Sequence, residues 1–231
     1  MAKPEEQVAK QKNSFAHTQR AYEGIRRLLF HNEIVPGQKI SYRHLAERLG
    51  MSQTPVIQAL KWLEVQQLVR HEPNRGCYTA PISMQEVAEI YDFRELIEQK
   101  LLTITIQKLD NKGLRGLRAS LDAYLEAAKD AYLYDRLEKD MEYHLTLASL
   151  SGNMVQQYTL KNLFDLLYLK YGGKFLFTSP LESSRADHQA LFDHVEQRDL
   201  KGAKQVLRAH IRRVKAHVLH NVERMLAATR M

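Results

Sequence analysis

The first eighty residues carry apolar positions in short helical runs separated by turn signals. Residues 1–14 show almost no apolar spacing and read as a flexible arm. From about Thr18, Ala21, Ile25, Leu28 and Leu29 recur at the spacing of one helix face. Pro36-Gly37 is a turn pair that ends this helix, and Lys39-Ile40-Ser41 reads as a strand stub. Leu45, Ala46 and Leu49 face inward on a second short helix stopped by Gly50. In the third helix Val56, Leu60 and Leu63 form the inward stripe, with Thr54 as its expected N-cap and Pro55 in its first turn. The extended runs VRHE and CYTA, joined by Pro73-Asn74-Arg75-Gly76, then predict a hairpin.

Three short helices and a hairpin make a winged helix-turn-helix. The pattern changes at Pro81-Ile82. Ser83-Met84-Gln85-Glu86 has the Ser-x-x-Glu form of a capping box, so a long helix opens there. Everything beyond reads as helix, over about 84–109, 112–130, 133–150, 154–172, 182–197 and 200–227. The separators are Asp110-Asn111, Asp130, Ser151-Gly152-Asn153, Gly172-Gly173 and Arg198-Asp199. The expected fold class is therefore mainly α: an N-terminal winged helix-turn-helix (15–82) followed by an all-α bundle of about six helices (83–231).

Composition narrows the function. At 231 residues, 44% hydrophobic and 26% charged, the chain can bury a real core without covalent staples. A single cysteine, Cys77, excludes a disulfide framework and a cysteine-based zinc site and suits a reducing, cytoplasmic setting. No apolar run approaches a membrane span, and MAKPEEQVAKQKNSF lacks the apolar core of a signal peptide, so no membrane partner is expected. Residues 1–82 hold 12 Lys and Arg against 7 Asp and Glu, a net of +5 out of +7 for the whole chain. That asymmetry points the first third towards a polyanion.

The stretch PGQKISYRHLAERLGMSQTPVIQALKWLEVQQLVRHEPNRGCYT closely resembles the DNA-binding domain of the GntR family of bacterial transcription regulators. The shared pattern is Pro-Gly, Leu-Ala-x-x-Leu-Gly, Ser-x-Thr-Pro-Val-x-x-Ala-Leu, and a wing ending in Arg-Gly and an aromatic. The helical remainder resembles the ligand-sensing FCD domain of the FadR-type subfamily. Its marks are Arg94 in FRELIE, Asp140-x-x-x-His144 before Ser151-Gly152-Asn153, Asp187-His188, and Ala209-His210-Ile211.

A major-groove helix shows polar side chains on one face while the other holds the core. With Val56, Leu60 and Leu63 inward, Gln53, Thr54, Ile57, Gln58 and Lys61 turn outward, as they would also on any solvated surface helix. The resemblance implies a DNA-contacting role for Arg43, which opens the second helix. Arg75 and Gly76 stand at the wing tip, where glycine allows close backbone approach. The family usually has arginine where this chain has Gln53 and Ile57, and often glutamate where it has Gln58. Trp62 is read as core rather than as a base-stacking group.

Asp140 and His144 are four residues apart and share one helix face. His188 and His210 each lie 11 residues from Asp199, the centre of the break between their helices. In an antiparallel hairpin they stand opposite one another, each ~16 Å from the turn. Three imidazoles and a carboxylate can thus converge on a divalent metal ion in a bundle core. The alternative is ordinary surface or capping histidines, the class in which His194, His217 and His220 are placed. The donor set suits zinc first, with nickel, manganese or iron as alternatives. Four protein ligands leave an octahedral ion with open positions for a small carboxylate effector. Arg94 is a candidate to bind that effector's carboxylate, and equally to form a buried ion pair with a glutamate such as Glu98 or Glu142.

The expected function is a ligand-responsive repressor that binds a double-stranded, inverted-repeat operator as a homodimer. One competing reading is a metal-dependent enzyme on the bundle, since an open metal position can activate water. No His-Glu-x-x-His pattern and no separate general base support it. A nonspecific architectural DNA binder is the third reading.

Overall fold

The computed structural model describes residues 4–129, 133–171 and 181–228, with side chains over 12–129, 134–171 and 183–227. The mainly α architecture expected from the sequence is the one observed. The elements run α1 (Pro4–Phe30), β1 (Lys39–Ile40), α2 (Tyr42–Leu49), α3 (Gln53–Val65), β2 (Val69–Glu72) and β3 (Gly76–Thr79). After these come α4 (Met84–Lys108), α5 (Asn111–Ala127), α6 (Leu133–Ser149) and α7 (Met154–Asp165), which continues as a π-helical turn over Leu166–Lys170. The last two helices are α8 (Leu181–Glu196) and α9 (Leu200–Ala228). The chain forms two compact units, one built of α1 to β3 together with residues 168–172 and the other of α4 to α9 without them.

In the first unit α1 packs chiefly on α3, burying Ala21, Ile25 and Leu29 together with Val56, Ala59, Leu60 and Leu63. α1 begins well before its apolar stripe. Residues 4–14, expected as a flexible arm, continue the helix, and residues 1–3 lie outside the described part. Their Glu, Gln, Lys and Ala are good helix formers with no breaker among them, and Pro4 stands at the first helical position, where its missing N–H costs nothing.

Ser41 caps α2 by accepting from His44 N at 3.3 Å, and Gly50 closes it in the left-handed region at φ 63°. The N-cap of α3 is Ser52 rather than the expected Thr54. Pro55 is therefore the third helical residue, still in the first turn, where backbone N–H groups have no helical acceptor. The sheet has the order β1-β3-β2 and is antiparallel throughout, with Ile40 opposite Cys77 and Val69 opposite Thr79.

In the second unit Ser83 caps α4 by accepting from Glu86 N, as the capping box predicts. Asp110 and Asn153 cap α5 and α7 in the same way. α4 is buried along much of its length, from Val87 through Ile97 and Leu101 to Ile106. It packs on α9, α6 and α7, which makes it the central helix of the unit. α5 pairs with α6 and α8 with α9, so α6, α8 and α9 are held in one bundle around α4. The expected separators Asp130 and Gly172-Gly173 lie outside the described residues. Among the described residues no helix is long and apolar enough to cross a membrane.

Candidate metal centre and DNA-reading surface

α6 places Asp140 and His144 one turn apart, α8 supplies His188, and α9 supplies His210. One ligand atom from each of the four lies within 4.8 Å of the others. The imidazole centroids are 5.2 Å apart for His144–His188, 5.4 Å for His144–His210 and 4.7 Å for His188–His210. The equidistance of His188 and His210 from Asp199 thus does bring their rings together. All three histidines are buried.

Each ring is held by its Nδ1. His144 Nδ1 lies 2.6 Å from Glu98 Oε2, His188 Nδ1 is 2.7 Å from the Ser184 carbonyl, and His210 Nδ1 is 3.2 Å from Asp187 Oδ2. Asp187 is itself paired with Arg213. Tyr124 packs its ring 4.2 Å from that of His188, and Tyr143 donates to the His188 carbonyl at 3.3 Å. A carbonyl or carboxylate at Nδ1 fixes the tautomer with Nδ1 protonated, which leaves the Nε2 lone pair free to bind.

The Nε2 atoms of His144 and His188 are buried and make no hydrogen bond. His188 Nε2 stands 3.2 Å from Asp140 Oδ1. With Nδ1 donating to Ser184, a neutral His188 faces that carboxylate lone pair to lone pair. A positive charge between them resolves the conflict, and a divalent cation does so for all four groups. The residues fit a metal ion with three nitrogens and one oxygen.

The electrostatics agree. Burial alone would raise the Asp140 carboxyl, but positive charge on His188, then on His144 and His210, holds it well below the usual carboxylate range. Burial likewise opposes ionisation of Glu98, and the facing His144 and Arg94 bring it down to about 2. Burial lowers His210 to about 4 despite the hydrogen bond from its ring to Asp187. This keeps a ligand-competent neutral imidazole at neutral pH.

Arg94, open in the sequence between effector and ion pair, donates its Nε to Glu98 Oε1 at 2.9 Å, with both side chains buried. Its guanidinium also lies 4.0 Å from the Phe164 ring centroid. Glu142 pairs with Lys139 instead. His194 lies 2.9 Å from Asp199, His217 is beside Asn221, and His220 is exposed; none joins the cluster. Glu98, Ser184 and Asp187, which orient the ligands, were not singled out for that role. The available signal was the i, i+4 spacing of Glu98 after Arg94 and the adjacency of Asp187 to His188.

On the first unit Gln53, Thr54, Gln58 and Lys61 are exposed and Ile57 is half-buried, so the outer face of α3 is the one the pattern predicts. Arg43 and Arg75 are highly exposed, Arg43 with its Nε 2.9 Å from Glu47. Gly76 has φ +106°, which a side chain would strain. Trp62 is half-buried and packs its ring on Phe15 and Tyr22 of α1, as a core group does. Lys39 and Arg70, not singled out from the sequence, add two cations to the wing, their charged groups each 5.9 Å from the centroid of the Tyr78 ring.

The sequence matches the FCD domain over residues 89–213 and the domain described as bacterial regulatory proteins, gntR family, over residues 17–79. It is 23% identical over 203 residues to the uncharacterized HTH-type transcriptional regulator YdhC of Bacillus subtilis (strain 168), covering 87% of this chain and 91% of that protein. It is 24% identical over 200 residues to the HTH-type transcriptional repressor RspR of Escherichia coli (strain K12), covering 87% and 88%. The Glc operon transcriptional activator of the same strain is 25% identical over 224 residues, again covering 87% and 88%. Among solved structures, E. coli McbR/YncC superimposes with a TM-score of 0.76 at 17% identity, over 89% of this chain and 98% of that one. The chain thus belongs to the GntR family of bacterial regulators, with the family's DNA-binding domain followed by an FCD domain, and is a transcription regulator rather than an enzyme.

Proposed function

We propose that the protein is a ligand-responsive repressor that binds an inverted-repeat operator as a homodimer. Asp140, His144, His188 and His210 hold a divalent ion, zinc first among the candidates, and a small carboxylate effector takes its open positions. One observation carries this reading: three buried imidazoles, each anchored through Nδ1, converge with a carboxylate, while the Nε2 atoms of His144 and His188 make no hydrogen bond. A hydrophobic core would not tolerate that arrangement without a cation.

Arg43, Gln53, Thr54, Ile57, Gln58, Lys61, Arg75 and Gly76 form the DNA-reading surface. A single winged helix makes few contacts, so two act together on half-sites about one helical turn apart, with the helical domain supplying the two-fold interface. Arg94, its Nε engaged by Glu98, adds positive charge for the effector. α4 opens at Met84, shortly after β3 ends at Thr79, and carries Arg94 and Glu98. It is the transmitter in this reading. Repression follows from a bound dimer occupying promoter DNA, and RspR is described as a repressor.

The test is a footprint on the DNA upstream of the protein's own gene, with zinc-loaded protein, with and without a panel of small organic acids. A two-fold protected site whose occupancy responds to an acid supports the reading. A monomer at micromolar concentration by light scattering, or an unpatterned footprint, overturns it.

A further inference from the structure

Tyr91, Arg94 and Glu98 lie three and four residues apart on α4, so one helix face carries all three. Arg94 and Glu98 are partnered, and Glu98 orients the ligand His144. Tyr91 is not so placed. It is 1% exposed, and its hydroxyl has no hydrogen-bond partner among the described residues. The Arg94 guanidinium lies 5.3 Å from its ring centroid. That arginine is bound by Glu98, whose other oxygen faces the ligand His144, so the Tyr91 ring stands on the arginine's side of the cluster.

A buried hydroxyl without a partner loses its hydration and gains nothing in return; phenylalanine would fill the same space without that loss. The position therefore answers to something outside the described residues. Resting on the metal-site reading above, we propose that Tyr91 is an effector-binding residue. Its O–H donates to an oxygen of a small carboxylate held at the open position of the ion, and Arg94 supplies positive charge on the same side. The class selected is an oxygen-rich anion. An apolar effector would leave the Tyr91 hydroxyl without an acceptor.

The experiment uses the full-length protein loaded with cobalt(II), whose visible absorption reports the metal's coordination, and acetate as the probe. Wild type and Tyr91→Phe are titrated side by side, and the metal-free forms are melted. The expected result is the same cobalt spectrum before acetate, an acetate Kd raised about 10-fold or more in Tyr91→Phe, and a metal-free Tm that is unchanged or higher. Equal acetate affinity in both proteins overturns the proposal and leaves the hydroxyl to a trapped water. A large fall in the metal-free Tm also overturns it, because the hydroxyl then has a structural partner. Absence of a cobalt band in wild type overturns the metal-site reading itself, and so is distinct from failure of the Tyr91 role alone.

Discussion

Glu98 Oε2 lies 2.6 Å from His144 Nδ1, across a separation of 46 residues in the chain. The other oxygen of the same carboxylate accepts from Arg94. An ionised Glu98 makes His144 a more basic ligand and fixes its tautomer. Glu98→Gln keeps the shape, removes the charge and is expected to weaken metal binding by about 10- to 100-fold. Competition against a chromogenic chelator measures this, and unchanged affinity would mean that Glu98 serves Arg94 alone.

Each of Asp140→Ala, His144→Ala, His188→Ala and His210→Ala should lower metal content, and the effector response should fail with it. Operator binding should persist or become indifferent to the acid, since in the proposed dimer metal and effector would act only through a free-energy difference between two arrangements, about 1–3 kcal/mol. His220→Ala is the control, exposed and outside the cluster. Elemental analysis decides the matter. Full metal stoichiometry after loss of both His188 and His210 would sink the assignment.

The metal-free protein should lose stability as pH falls below the ordinary histidine range. Burial holds His210 at about 4, whereas an unfolded histidine titrates near ~6.5. The unfolded chain takes up its proton first, so the stability present above ~6.5 declines towards pH ~4, by up to roughly 3 kcal/mol. Glu98, at about 2, contributes its own loss only at lower pH, between the ordinary carboxylate value and its folded one. Urea unfolding of chelator-treated protein at pH 7 and pH 5 measures the first effect. A His210→Gln variant with the same slope as wild type would assign it elsewhere.

Replacing Arg43 or Arg75 with alanine should weaken operator binding. The slope of log affinity against log salt should fall by ~1 for each phosphate that the variant no longer neutralises. Filter binding across a salt series reads both quantities. An unchanged slope for both variants would place the phosphate contacts on other cations, with Lys39 and Arg70 of the wing next in line.

Half-sites should be richer in A·T where α3 reads them than in relatives that carry arginine at Gln53 and Ile57. Glutamine pairs with adenine through N6 and N7, arginine with guanine through O6 and N7, and Ile57 offers only apolar contact suited to a thymine methyl. Selection from random DNA tests this directly. Recovery of a G-centred core at those positions refutes it.

Most elements and several of their caps were legible in the sequence because their information is local, although α3 is capped by Ser52 and not by Thr54. The stripe of Val56, Leu60 and Leu63, the Gly50 stop and the Ser83–Glu86 capping box each act within one or two turns, and all appear where the pattern puts them. The pairing of His188 with His210 was legible for a related reason: a hairpin turns distance from its break into height along two helices. What the helix pattern could not show was the α1 extension over residues 4–14, because a polar segment carries no periodicity to read. Only the tertiary structure decided between Glu98 and Glu142 for Arg94, found Asp187 and Ser184 behind the ligands, and left the Tyr91 hydroxyl without a hydrogen bond among the described residues. Those outcomes depend on how α4, α6, α8 and α9 pack. Contacts between helices far apart in the chain follow from the shapes of whole buried faces, which no spacing along a single helix encodes.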